Sequence, residues 1–237
     1  MFLSIIMPCK NEKDSVGDCV KSAKEFLNKN DIDGEILVVD ASDDNSAKLA
    51  EENGAKVITQ TTRGYGEAIR EGVYNANGDY IIVGNCDGTY DFSLIGCFVK
   101  CFNEDYDYIN GDRLINGIEF NLSYFTAKFL SKISKHKGKT YINDVSSGFY
   151  GFSKELLDKL NITSNGKNFI PEFIYKVSES DALTCEIPVF SRTGSVKHKK
   201  GNILKHGYNM LRYILATWYF FDKYLTFTKK NVIILIV

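Results

Sequence analysis

Four times in its first 102 residues the chain runs an apolar, strand-length stretch into a polar turn and then into a segment of helical periodicity. The strands read at 2–7, 35–39, 55–58 and 80–83, the helices at 13–27, 46–53, 66–76 and 94–102, and a fifth strand follows at 106–109. The first helix carries Val16, Val20, Ala23 and Leu27 on one face, the 3.6-residue period of an amphipathic helix. Pro8 is expected to close the first strand, and Gly54 and Asn77-Gly78 to stop the second and third helices. Strands alternating with helices predict an α/β fold, a mostly parallel central sheet with helices on both faces. Right-handed crossovers then bring the strand C-termini to one edge, where such sheets bind ligands.

The second half is less regular. It reads as a helix at 120–134 with lysines at 128, 132 and, just past its end, 135, a strand at 147–152, a helix at 169–180 and a strand at 183–192. Charge divides the same way: 11 Lys and Arg against 21 Asp and Glu in residues 1–118, then 18 against 9 in 119–237. A basic half favours an anionic partner. Residues 202–222 hold the run Tyr213-Ile214-Leu215-Ala216-Thr217-Trp218-Tyr219-Phe220-Phe221 between flanking lysines. That run falls short of the about 20 apolar residues a bilayer span needs. It suits an amphipathic helix lying in the membrane interface, with a helix packed on the core as the equal alternative. The terminal run 232–237 reads either as the start of a membrane segment or as an edge strand. The expected division is therefore residues 1–200 as one catalytic domain and 201–237 as a membrane-associating segment. The six cysteines form no Cys-x-x-Cys pair, which argues against zinc and for reduced thiols in the cytoplasm. The opening apolar run is too short for a signal peptide.

Polar groups cluster where strands end: Pro8-Cys9-Lys10-Asn11-Glu12, Asp40-Ala41-Ser42-Asp43-Asp44 and Asn85-Cys86-Asp87. One such acid is an ordinary turn or cap residue. Three groups on one predicted edge describe a cleft for a polar, metal-bound ligand, and carboxylates with few bases suit Mg2+ or Mn2+. Arg63-Gly64-Tyr65-Gly66 opens the third helix, where glycines allow close backbone approach and the helix N-terminus favours anions. A dinucleotide fingerprint would need glycine where Ile69 stands and would follow the first strand, so a dehydrogenase is excluded.

These motifs resemble, in order, those of inverting family 2 glycosyltransferases with the GT-A fold: Pro8-x-x-Asn11-Glu12, residues 38–46, residues 63–68, and Gly84-Asn85-Cys86-Asp87-Gly88-Thr89-Tyr90-Asp91. Gly111-Asp112-Arg113, residues 143–149 and residues 192–197 are similar to the dolichyl-phosphate mannose synthase-like branch, and the resemblance covers about residues 2–215. It implies a nucleotide pocket lined by Pro8, Glu12 and Asp40, with Asp44 and Arg63 nearby. It implies that Asp87 holds the metal bridging the donor diphosphate, with Asp91 assisting. Arg113 would hold the acceptor phosphate, and Asp144 and Ser147 would face the transferred sugar or acceptor. Arg192, Ser195 and Lys197 would neutralise phosphates. The catalytic set is then Asp87, Asp144 and Arg113. The chain departs from the family pattern where the usual Asp-x-Asp reads Asn85-Cys86-Asp87 and where the basic residue after Ser-Gly-Phe is Tyr150.

The expected reaction is transfer of a hexose from a nucleotide-diphosphate sugar to a polyprenyl phosphate. It would occur at the cytoplasmic face of a membrane, with the membrane surface as partner, no nucleic acid and no legible protein partner. A lipid phosphate is ionised near neutral pH and needs no general base. A sugar-hydroxyl acceptor would need one, with Asp144 and then Glu172 as candidates. That reading stays open, as does a non-catalytic nucleotide-sugar-binding protein. A nucleotidyltransferase ranks last, because no glycine-rich loop follows the first strand.

Overall fold

A computed structural model describes residues 1–114, 142–166 and 168–190, together with Lys128, Lys132, Tyr208 and Leu211 singly. The expected helix at 120–134 and the segment 201–237 therefore lie largely outside the described residues.

The elements follow the order β1 (Leu3–Cys9), α1 (Val16–Lys29), β2 (Gly34–Asp40), α2 (Ser46–Glu52), β3 (Lys56–Thr59), α3 (Tyr65–Asn75) and β4 (Tyr80–Gly84). A 3-10 turn at Phe92–Leu94 leads into α4 (Ile95–Asn103). Then come β5 (Tyr108–Asp112), β6 (Phe149–Ser153), α5 (Lys154–Leu160), α6 (Phe169–Glu179) and β7 (Thr184–Pro188). Seven strands form one sheet in the order β3-β2-β1-β4-β6-β5-β7. The pairs β1–β2, β1–β4, β2–β3 and β5–β7 are parallel, and only β6 runs against its neighbours, β4 and β5.

Period-2 alternation divides the apolar residues between two faces. Ile6, Leu37, Val39, Ile81 and Val83 pack with α3, α5 and α6, while Ile5, Met7, Val38 and Ile82 pack with α1 and α4. Both faces are covered, which is why the parallel strands read as unbroken apolar runs. Leu211 rests against the α3 and α6 side, and Tyr208 is exposed.

Pro8 does not close β1. It continues the strand, paired in register with Val39, while the β4 pairing stops at Ile6. The Pro8 carbonyl accepts from Cys86 Sγ on the β4 side, so its missing N–H falls where no ladder partner is needed.

The topology gathers the site on one edge. β1, β2, β3, β4, β5 and β7 all end there, and the reversed β6 begins there. The chain crosses from β1 to β2 in one direction and reaches β4 in the other, so a switch point opens beside β1. Ser15 Oγ donates to the Cys86 carbonyl at 2.8 Å and ties the loops across that crevice.

Candidate active site

The loops after β1 and β2 are built as one piece. Asp40, almost wholly buried, accepts from the Ser42 hydroxyl at 2.6 Å and the Ser42 amide at 3.1 Å. Ser42 Oγ accepts from the Asn11 amide at 2.7 Å, and Asn11 Oδ1 from the Asp43 amide at 2.9 Å. Asn11 sits in the left-handed region at φ 61°, which asparagine tolerates. Ser46 Oγ accepts from the Glu12 amide at 2.9 Å and is itself bonded to Asp44. Burial opposes ionisation of Asp44, but the hydroxyl and amide of Ser46 hold its carboxyl below the usual range.

Asp87 follows β4 in a tight turn. Its Oδ1 accepts from the Thr89 amide at 2.9 Å, and Gly88 takes φ 78°. Across the crevice Glu12 is pushed up to about 7, first by burial and then by the charges of Asp87, Asp44 and Asp14. Glu12, Asp44 and Asp87 thus share one negative field. Asp91 caps the 3-10 turn, accepting from the Ser93 amide. Arg63 lies exposed at the rim of this edge.

The second group sits at the end of β5. Arg113 holds Asp144 in a fork, Nε to Oδ2 at 2.6 Å and Nη2 to Oδ1 at 2.9 Å, and Nη2 also donates to Ser146 Oγ at 2.9 Å. The Asp144 side chain is wholly buried and that of Arg113 is 18% exposed. Burial alone would raise Asp144, but the Arg113 guanidinium holds it below the ordinary carboxylate range. Both Asp144 oxygens are thus engaged by a buried cation, which disfavours the proton-accepting role expected of it with a hydroxyl acceptor. Glu172, the second candidate base, is likewise engaged. It accepts from Thr163 and Ser164 and meets Lys176 at 3.0 Å, and these partners outweigh its burial and hold it at about 2. Ser147, expected to face the sugar or acceptor, is fully buried here, and its hydroxyl closes on the backbone of Phe149.

The glycines opening α3 also differ from expectation. A Cβ on Gly64 would stand 2.4 Å from the Asn165 carbonyl oxygen, and one on Gly66 2.7 Å from that of Ser164. The Asn165 carbonyl also accepts from the Glu67 amide at 3.2 Å. These glycines admit the protein's own loop 163–166, which occupies part of the helix N-terminus that an anion would need.

Two residues went unrecognised in the sequence. Asn110, fully buried in β5, donates through Nδ2 to the Asp144 carbonyl at 3.1 Å and to Glu186 Oε1 at 3.2 Å. Glu186 Oε1 also accepts from the Asn143 amide at 2.7 Å. Together they clamp the peptide that carries Asp144. The available signal was a polar Asn inside an apolar strand. Arg192, Ser195 and Lys197 lie outside the described residues.

The mixed sheet, with its acids and guanidinium on one edge, defines a transferase architecture of the GT-A type. A mannosyl-3-phosphoglycerate synthase from Rubrobacter xylanophilus superposes with a TM-score of 0.73 at 16% identity, over 94% of this chain and 75% of that one. A glucosyl-3-phosphoglycerate synthase from Mycobacterium tuberculosis, solved with Mn2+, UDP and phosphoglyceric acid, superposes with a TM-score of 0.67 at 18% identity, over 91% and 78%. Residues 4–160 match the glycosyl transferase family 2 model, and the chain belongs to that family. Its relatives include a low-salt glycan biosynthesis hexosyltransferase of Haloferax volcanii, 29% identical over 79% of this chain and 47% of the relative. A dolichyl-phosphate hexose transferase of the same organism is 27% identical over 69% and 71%. A dolichol-phosphate mannosyltransferase of Pyrococcus furiosus is 23% identical over 90% and 64%. The chain thus spans about half of the first of these relatives and less than two thirds of the last.

Proposed function

We propose that this glycosyltransferase moves a hexose from a nucleotide-diphosphate sugar to a polyprenyl phosphate with inversion. The observation that carries the reading is the division of the edge: three acids on one side, and on the other a guanidinium held in fixed geometry by a carboxylate, Asp144, whose two oxygens it already engages. A phosphate acceptor has a second ionisation near about 6 and attacks without a base. One of its oxygens bonds to the anomeric carbon as the bond to the donor diphosphate breaks, so an α-linked donor yields a β-linked product.

Glu12, Asp40 and Pro8 would take the nucleoside, with Asp44 and Arg63 beside them. The donor set fits a hard divalent cation. Such ions bind through one or two carboxylates plus substrate phosphates, and a cation at Asp87 would offset the charge that, after burial, does most to raise Glu12. Among the described residues no cluster of three or more ligating side chains exists, which agrees with a metal held jointly with the donor. Bound there, Mg2+ or Mn2+ would act as Lewis acid for the leaving diphosphate. Arg113 would hold the acceptor phosphate, and Asp144 keeps the guanidinium from swinging away. Arg192 and Lys197 would add positive charge and Ser195 a hydroxyl donor for the phosphates, and residues 201–237 would meet the cytoplasmic membrane surface. No helix among the described residues is long and apolar enough to cross a membrane.

The test is transfer of labelled sugar from GDP-mannose, UDP-glucose or UDP-GlcNAc, with Mn2+ and a polyprenyl phosphate, into the organic phase. Label there, lost in Asp87→Ala, supports the reading. Label appearing only on a soluble sugar or on phosphoglyceric acid would move the acceptor to a hydroxyl. Nucleotide binding with no transfer to any acceptor would mark a binding protein.

A further inference from the structure

Where the family pattern carries an acid, this chain carries Asn85, and its surroundings are specific. The Asn85 amide N–H donates to the Gly148 carbonyl at 3.2 Å, and its Oδ1 accepts from the Tyr65 hydroxyl at 3.4 Å. The side-chain amide lies over the Gly148 Cα: a Cβ there would stand 2.4 Å from Nδ2, 2.9 Å from Cγ and 3.1 Å from Oδ1 of Asn85. Gly148 N–H in turn donates to the buried Tyr90 hydroxyl at 2.8 Å. Gly148 is therefore held at its nitrogen, its oxygen and its α-carbon, and two of the three grips come from Asn85. Gly148 closes the loop that carries Asp144 and Ser146, the partners of Arg113. Two residues beyond Asn85 stands Asp87.

We propose that Asn85 is a positioning residue rather than a metal or ribose ligand: it joins the Asp87 turn to the Asp144–Gly148 loop and so sets the spacing between the donor and acceptor halves of the site. The proposal rests on the assignment of those halves above. A neutral amide suits the task, because it accepts the Tyr65 hydrogen bond and covers the glycine without adding a further anion beside Glu12, Asp44 and Asp87. The spacing matters because transfer depends on near-attack geometry between two separately held substrates.

The test uses the whole chain with Asn85→Ala, Asn85→Asp and Tyr65→Phe, and two readouts. The first is amide hydrogen exchange without ligand. Asn85→Ala and Tyr65→Phe are expected to speed exchange across residues 143–149 by about tenfold, the weight of one hydrogen bond, with residues 34–40 unchanged. The second is Mn2+ binding in the presence of UDP or GDP, followed by the spin-resonance signal of free Mn2+. Asn85→Asp is expected to leave the affinity within about twofold, where a change at a ligand or its direct support moves it about tenfold or more. Unchanged exchange at 143–149 in Tyr65→Phe and Asn85→Ala would overturn the proposal. So would an Asn85→Asp protein that binds Mn2+ about tenfold tighter. If Asn85→Ala fails to fold, Tyr65→Phe, which removes a single hydroxyl, decides the exchange readout. If the unaltered chain binds no Mn2+ with either nucleotide, the metal reading falls, and exchange alone decides the role of Asn85.

Discussion

Arg113 and Asp144, 31 residues apart, meet in a two-pronged ion pair whose carboxylate is entirely buried. Removing one partner of such a pair strands the other charge in a site of low polarity. Asp144→Ala is expected to cost about 3 kcal/mol of folding stability, read as a shift of the urea midpoint. A loss under about 1 kcal/mol would mark the pair as an ordinary surface contact. Arg113→Lys keeps the charge and loses the fork, so it should retain more stability than Asp144→Ala while losing most transferase activity.

Two carboxyls shifted in opposite directions predict opposite pH effects. Glu12, raised to about 7, favours the folded state below its unfolded value of about 4.5, and that contribution is lost as pH rises toward 7. Urea midpoints of the metal-free protein should therefore fall between about pH 4.5 and 7, and Glu12→Gln should flatten the slope. A slope unchanged by Glu12→Gln would exclude it as the source. Glu172, lowered to about 2, favours the folded state above about 4.5, and its contribution is lost as pH falls toward 2. Glu172→Gln should thus destabilise at pH 7, and the difference should narrow in acid.

Glu186 on β7 and Asn110 on β5 hold the backbone of Asn143 and Asp144. Glu186→Ala should lower turnover by about tenfold, in the range seen when supporting residues around a site are removed, with donor KM little changed. Glu186→Gln keeps the accepting oxygen and should recover most of the loss. Equal effects of both variants would show that charge, not the hydrogen bond, matters.

Gly66→Ala drives a Cβ to 2.7 Å from the Ser164 carbonyl oxygen, whereas a Cβ on Gly166 meets nothing within 4 Å. The first should cost about 1–3 kcal/mol in thermal or urea unfolding, and Gly166→Ala should be near neutral. Comparable costs would remove the packing explanation for the glycines at the start of α3.

Hydrophobic period is a local property, so the sequence by itself determined the first four strands, their helices, the two-faced sheet and the edge where ligands bind. The motifs also named Glu12, Asp44 and Asp87, which the fold brings into one field. Strand order was different: the reversed β6 between β4 and β5 depends on pairing between segments far apart in the chain, which no local pattern encodes. α5 was missed as well, since seven residues show too little periodicity. The same distance argument separates composition from role in the site. Asp144 has the chemistry of a base until Arg113 takes both its oxygens. Gly64 and Gly66 look made for an anion until loop 163–166 fills the space. Asn85 looks like a lost acid until Gly148 and Tyr65 stand against it. Ionisation, close packing and hydrogen bonding are set by neighbours in space, and only the tertiary structure supplies those.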